Sequence, residues 1–166
     1  MNIHKTKNPL VKMYLPSTFE DYRGEYTEIW NKKLYEAPCE FVQDDISISE
    51  PNVLRGIHGD KKTWKLISCL RGKFYFIVID LRENVDTYGK WEAFLLSDRN
   101  KKQILVPPGF GNGHYNVSIT EECIFHYKQS TYYGDPEAEQ FTVKWNDPRF
   151  DIWWPCENPI LSERDK

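Results

Sequence analysis

Apolar and polar residues alternate over short runs along this chain. Turn residues part the runs at spacings of roughly 8–12 residues, the rhythm of an antiparallel β protein. Residues 41–49 alternate imperfectly, with Phe41, Gln43, Asp45 and Ser47 on one side and Val42, Ile46 and Ile48 among the others. Residues 64–70 and 73–81 flank Arg71-Gly72, which predicts a turn between paired strands. Within the second run the sequence from Phe74 to Ile79 is almost continuously apolar, as a buried strand requires. Residues 91–96, 103–106, 114–119, 123–129 and 141–145 continue the series. Pro107-Pro108-Gly109 and Gly111-Asn112-Gly113 are expected to break it where the chain crosses between strands. Helical signals are few: a turn or two over residues 21–31 and a short turn over 147–152. Nothing alternates helix with strand as a parallel sheet would. The prediction is an all-β sandwich or jelly roll with a few short helical turns.

Composition narrows the class. A chain of 166 residues suits one domain, 1–166, with its own core. A formal net charge of −3 gives no general affinity for nucleic acid. No apolar run reaches the roughly 18 residues of a membrane-spanning helix. The first residues, Met1 to Lys7, lack the apolar centre of a secretory signal, so a cytoplasmic protein is expected. Cys39, Cys69, Cys123 and Cys156 are far apart and form no C-x-x-C pair, which reads as reduced thiols in a cytoplasmic protein. Six Trp, ten Tyr and nine Phe suit half-buried β surfaces and also the walls of a site for planar ligands.

Candidate chemistry gathers in Asn52-Val53-Leu54-Arg55-Gly56-Ile57-His58 and, shortly after it, Lys65. The segment puts a group titrating near neutrality and two cations into a run that otherwise reads as sheet. An ammonium there suits negative charge developing on a substrate oxygen. A surface turn with incidental charges is the plain alternative.

Further motifs extend the pattern over nearly the whole chain. They are Phe19-x-Asp21-x-Arg23-Gly24, Phe41-Val42-Gln43-Asp44, Leu54-Arg55-Gly56-Ile57-His58, Lys65-Leu66, Val78-Ile79-Asp80-Leu81-Arg82 and Pro107-Pro108-Gly109-Phe110. Tyr127-Lys128, Tyr133, Trp145-Asn146-Asp147-Pro148 and the segment from Pro159 to Asp165 follow. In order and spacing these resemble the dTDP-4-dehydrorhamnose 3,5-epimerase family of cupin-like jelly rolls. The resemblance implies an isomerase acting on a nucleotide-diphosphate-linked 4-keto-6-deoxy sugar, in surface polysaccharide or deoxysugar biosynthesis. Such chemistry removes a proton beside a ketone, spreads charge onto the carbonyl oxygen and returns a proton to the opposite face. A base, an acid across from it and a cation are the minimum equipment, and no metal or redox cofactor is required.

By that resemblance His58 is the base, Tyr127 the acid, Lys65 the enolate partner, and Asp165 the carboxylate that orients His58. Gln43 and Arg55 resemble residues near the diphosphate and sugar, and Tyr133 a tyrosine of the substrate pocket. Phe19, Arg23 and Glu28 resemble a nucleotide-binding segment contributed by the other subunit of a homodimer.

The chain also departs from the family. Gly59-Asp60 stand where an aromatic and Gln are usual, and the loop to Lys65 is shorter. Asn112-Gly113-His114 replace His-Gly-Phe, Asp45 replaces an Asn, and Phe76 replaces an Asp expected near Lys65. Arg55-Gly56-Ile57-His58-Gly59-Asp60 with Gly111-Asn112-x-His114-Tyr115 also resembles a branch acting on GDP-linked 4-keto heptoses. Two other readings remain: a metal-dependent cupin using His58, His114 and His126, and a non-catalytic sugar-binding module.

Overall fold

The computed structural model describes residues 1–35 and 37–166. Thirteen strands run in chain order among them. They are β1 (Asn2–His4), β2 (Lys12–Leu15), β3 (Thr18–Asp21), β4 (Gly24–Thr27), β5 (Gln43–Ser49), β6 (Leu54–Gly59) and β7 (Lys65–Arg71). Then follow β8 (Lys73–Asp80), β9 (Trp91–Ser97), β10 (Gln103–Val106), β11 (Phe110–Asn116), β12 (Cys123–Gln129) and β13 (Phe141–Thr142). A six-stranded sheet of order β1-β2-β10-β7-β12-β5 faces a five-stranded sheet of order β13-β6-β11-β8-β9, and β3-β4 form a separate hairpin. The strand pairs within these sheets are antiparallel. This is the all-β, cupin-like jelly roll that the sequence predicts.

Three apolar layers hold the two sheets. Between them Ile67 and Phe125 meet Phe74, Phe76, Phe94 and Leu96. Behind the five-stranded sheet, Ile77 and Ile79 pack with Leu54, Phe150 and Trp154. Behind the six-stranded sheet, Tyr14, Leu66 and Leu105 pack with Tyr35. Strand β8 is therefore covered on both faces, which explains its nearly unbroken apolar sequence. Each fully buried Phe of β8 stabilises the fold by about 1.5–3 kcal/mol relative to an exposed one.

Three local expectations are corrected. Arg71-Gly72 does not turn between paired strands: β7 belongs to the six-stranded sheet and β8 to the five-stranded one, so the chain crosses from sheet to sheet at Gly72. Residues 21–31 do not turn into helix: Thr18–Asp21 and Gly24–Thr27 pair as a hairpin. The β-favouring Thr18, Phe19, Tyr26 and Thr27 sit opposite one another, and Asp21 accepts from the Arg23 amide to close the turn. Pro136–Ala138 is the one 3₁₀ helix among the described residues, and 147–152 holds only a single turn at Phe150. Nor does Gly111-Asn112-Gly113 break the series, for it lies inside β11. A Cβ on Gly56 would stand 2.6 Å from the Gly113 Cα, so these glycines let β6 and β11 approach closely.

Candidate active site

One end of the space between the sheets is open and polar. It forms a cavity of about 310 Å³ lined by His58 and Asn112 from the five-stranded sheet, Lys65 and Tyr127 from the six-stranded sheet, and Asp165 from the C-terminal segment. The walls thus bring together five residues from four separate stretches of the sequence.

Strand β6 alone explains how Arg55 and His58 share a cavity. Residues three apart on a regular strand point to opposite faces. Here the register against β11 shifts between the pairs His114↔Arg55 and Asn112↔His58, which inserts an extra residue into β6. The bulge turns His58 inward, and Asn112 Nδ2 donates to the His58 carbonyl at 3.1 Å.

The C-terminal segment closes over this strand. The Ile160 carbonyl accepts from the Leu54 amide at 3.0 Å, and the Ile160 amide donates to the Asn52 carbonyl at 2.8 Å. Arg164 Nε donates to Thr142 Oγ1 at 2.9 Å. These contacts carry Asp165 inward until it is 3% exposed. Its Oδ1 lies 2.6 Å from His58 Nε2, and Ser162 Oγ donates to Oδ2 at 2.9 Å. Because a carboxylate only accepts, His58 Nε2 carries the hydrogen and Nδ1 keeps the lone pair. Burial pushes the His58 pKa below its usual value, with Asp165 acting in the opposite direction. The imidazole is thus held neutral, as a base must be.

Across the cavity, Lys65 opens β7 and Tyr127 sits two positions from the end of β12. Lys65 Nζ is 3.6 Å from Asp60 Oδ2. Burial lowers the lysine pKa and Asp60 opposes that shift. Burial first, then the Asp45 carboxylate, raises the Tyr127 pKa and keeps the phenol protonated. Asp45 in turn accepts from Gln43 Nε2 at 2.7 Å and Gln129 Nε2 at 2.8 Å through one oxygen. An Asn at position 45 also offers such an oxygen, but without the charge felt by Tyr127.

The other substrate candidates lie at the edge. Arg55 Nε donates to Ser49 Oγ at 3.0 Å, leaving the hydroxyl hydrogen for His114 Nε2 at 3.1 Å. His114 is stacked on Phe125 with centroids 4.2 Å apart. Burial, aided by Arg55 and His58, takes its pKa down to about 3. Gln43 does not itself line the cavity; its Oε1 accepts from the Tyr133 amide at 2.9 Å and pins the rim where Tyr133 stands. Phe19, Arg23 and Glu28 do not reach this chain's cavity. Phe19 is 67% exposed on the β3-β4 hairpin, and Arg23 pairs with Asp21.

Some departures from the family prove compensated. Phe76 is buried against Phe74 and Phe125 and gives Lys65 nothing, yet the expected carboxylate arrives from Asp60. At Gly59 a Cβ would meet the Phe141 ring at 2.5 Å, so the space of a side chain there is filled by an aromatic from β13. The three histidines do not converge. His58 and His114 line the cavity, whereas His126 is absent from its lining and pairs with Asp44. Among the described residues no group of three or more His, Cys, Asp or Glu is placed to hold a metal.

Sequence reasoning missed Ser49, Ser162 and the supportive role of Asp60. For Asp60 a signal existed, since Asp followed by Lys-Lys-Thr suits an Asx turn. Ser49 and Ser162 act only through contacts made by folding.

A proton acceptor and a protonated phenol on facing sheets, with an ammonium between two strand ends, define a jelly-roll epimerase. A family model described as dTDP-4-dehydrorhamnose 3,5-epimerase matches residues 5–166. The chain is 38% identical to the dTDP-4-dehydrorhamnose 3,5-epimerase of Escherichia coli (strain K12), covering 100% of this chain and 92% of that protein. Among solved structures it is similar to the Bacillus anthracis dTDP-4-dehydrorhamnose 3,5-epimerase with TDP and PPi bound. That likeness has a TM-score of 0.92 and 36% identity, covering 99% of this chain and 95% of the other. It is also similar to the dTDP-6-deoxy-D-glucose-3,5-epimerase of Legionella pneumophila in complex with dTDP-4-keto-L-rhamnose. There the TM-score is 0.90 and the identity 34%, over 99% of this chain and 89% of the other. The chain belongs to the dTDP-4-dehydrorhamnose 3,5-epimerase family and is an isomerase.

Proposed function

We propose that this enzyme epimerises a dTDP-linked 4-keto-6-deoxy sugar at C3 and C5. The placing of His58 and Tyr127 on facing sheets around one cavity carries the reading. His58 Nδ1 takes the proton from the carbon beside the ketone, and the electron pair of the broken C–H bond moves onto the carbonyl oxygen. Lys65 Nζ stabilises that enolate oxygen. Tyr127 then gives its phenolic proton to the opposite face, the ketone reforms, and the configuration is inverted. Asp165 holds the His58 ring and stabilises its protonated form. The cycle ends with His58 losing a proton and Tyr127 regaining one through solvent.

Arg55 and the Gln43–Tyr133 rim serve the diphosphate and sugar, where a guanidinium suits phosphate oxygens. A homodimer completes the nucleotide site, with Phe19, Arg23 and Glu28 coming from the partner subunit. Two observations support this arrangement. The β3-β4 hairpin leaves Phe19 and Tyr26 exposed, and an isolated two-stranded hairpin is marginal without a surface to cover it. The edge strand β5 also turns Ile46 and Ile48 outward. The enzyme works in the cytoplasm, with residues 1–166 as one domain, and supplies a deoxysugar for surface polysaccharide. No described helix is long and apolar enough to cross a membrane.

The test is incubation with dTDP- and GDP-linked 4-keto sugars in deuterated water, with labelled positions read by NMR. Label at both C3 and C5 of the dTDP sugar is expected, and His58→Asn is expected to lower its rate by about a hundredfold to ten-thousandfold. Label at C3 alone, or labelling of the GDP-linked heptose only, contradicts the assignment.

A further inference from the structure

We propose that Asp60 is a positioning residue for this reaction: it aims the Lys65 ammonium at the substrate's carbonyl oxygen and keeps it charged there. The proposal rests on the reading of Lys65 as the enolate partner.

The two oxygens of Asp60 have separate tasks. Oδ1 accepts from the Lys62 amide at 2.9 Å and the Thr63 amide at 2.6 Å. Oδ2 is left to face Lys65 Nζ at 3.6 Å. The residue is 5% exposed, and turning its carboxylate away breaks both amide bonds. Its loop is tied down on either side. The Asp60 carbonyl accepts from the Gly109 amide at 2.7 Å, and the Lys61 amide donates to the Ala138 carbonyl at 2.8 Å. The neighbouring ammoniums of Lys61 and Lys62 are engaged outward with Glu139 and Glu137, so they do not compete for Asp60.

The separation matters as much as the charge. At 3.6 Å the carboxylate attracts Lys65 without a normal hydrogen bond, so the ammonium keeps donors for a substrate oxygen. A tight pair would hold those donors back. Lys65 also needs such a partner. Its side chain is largely buried, and it shares the cavity with His58 from β6, His114 from β11, Tyr127 from β12, and Arg164 and Asp165 from the C-terminal segment. Burial and Arg164 both favour loss of its proton, and Asp60 is the carboxylate that opposes them. Position 76 offers no substitute, because Phe76 lies in the core between the sheets.

Asp60→Asn separates the tasks, since the amide oxygen still accepts from the Lys62 and Thr63 amides while the charge is lost. On the dTDP-linked 4-keto-6-deoxy sugar, kcat for exchange is expected to fall about tenfold to a hundredfold. KM and dTDP affinity are expected to stay within about twofold of the parent. The alkaline limb of kcat is expected to move to lower pH, because Lys65 then deprotonates more easily. A purely structural role leaves that limb in place. If Asp60→Asn does not fold, Asp60→Ser retains an acceptor for the same amides and carries the same expectation. A folded variant with the parent kcat and alkaline limb overturns the proposal. Lys65→Met, run beside it, distinguishes the two levels. An inactive Lys65→Met with an unaffected Asp60→Asn rejects only the role of Asp60, whereas a fully active Lys65→Met rejects the enolate assignment on which it rests.

Discussion

Strands β8 and β5 obey hydropathy in opposite senses. In β8, Phe74, Phe76 and Val78 face the other sheet and Ile77 and Ile79 face the layer behind, so nearly every apolar residue is buried. In β5, Gln43, Asp45, Ser47 and Ser49 face inward, while Ile46 and Ile48 are 59% and 48% exposed. The first strand stabilises the fold. The second turns Ser47 to the cavity and its other polar residues to the hydrogen bonds around it, and leaves Ile46 and Ile48 on its outer face. A single-strand pattern therefore reports what each face meets, and core is only one possibility.

The largest contrast is expected from the β8 side. Phe76→Ala should cost about 3–5 kcal/mol of stability, measured by denaturant unfolding, with little change in turnover per folded molecule. A loss below about 1 kcal/mol contradicts the place given to β8. On the cavity side, Asp165→Asn should leave stability nearly unchanged and reduce kcat about tenfold to a hundredfold. The base must be unprotonated, and burial holds the His58 pKa below 6.5, so the acid limb of kcat/KM lies below that value. Removing the carboxylate that raises this pKa moves the limb lower still, and a limb moving upward sinks the dyad.

Buried His114 sets a pH dependence of stability. Its folded pKa of about 3 lies below the ordinary 6.5, so the unfolded chain takes up a proton that the folded one refuses. Stability from this group is complete above pH 6.5 and drains away as pH falls towards 3. Thermal midpoints across that range should therefore fall with acidity, and less steeply in His114→Phe. Identical slopes rule out His114 as the source. The smallest effect on the isolated fold belongs to Ile46→Lys with Ile48→Lys, within about 0.5 kcal/mol for surface positions. Sedimentation should nevertheless show loss of self-association together with weaker dTDP binding. A dimer unchanged by both substitutions removes β5 from the interface.

Much of this was legible before folding. The apolar run of β8 and the exact span of Cys123–Gln129 follow from periodicity, whereas the turn chemistry of Arg71-Gly72 marks a crossing between sheets and not a pair of neighbouring strands. His58, Lys65, Tyr127 and Asp165 were named from motif order, and the structure gathers all four at one cavity. What failed was local sequence competing with pairing. Gly111-Asn112-Gly113 reads as a break, but close approach to Gly56 makes glycine suitable within the strand. The segment at 21–31 reads as a helical turn until Thr18 and Thr27 face each other across a hairpin. The Asp60–Lys65 pair is not legible in the sequence, because the carboxylate near Lys65 comes from the loop before β7 and not from position 76 of β8.

The most direct test compares His58→Asn with Tyr127→Phe on the dTDP-linked 4-keto-6-deoxy sugar in deuterated water, following label and configuration together by NMR. The predicted result is that His58→Asn loses both exchange and inversion, while Tyr127→Phe washes deuterium into recovered sugar of unchanged configuration. Inversion at the parent rate in Tyr127→Phe, or undiminished exchange in His58→Asn, contradicts a base and an acid acting from opposite sheets.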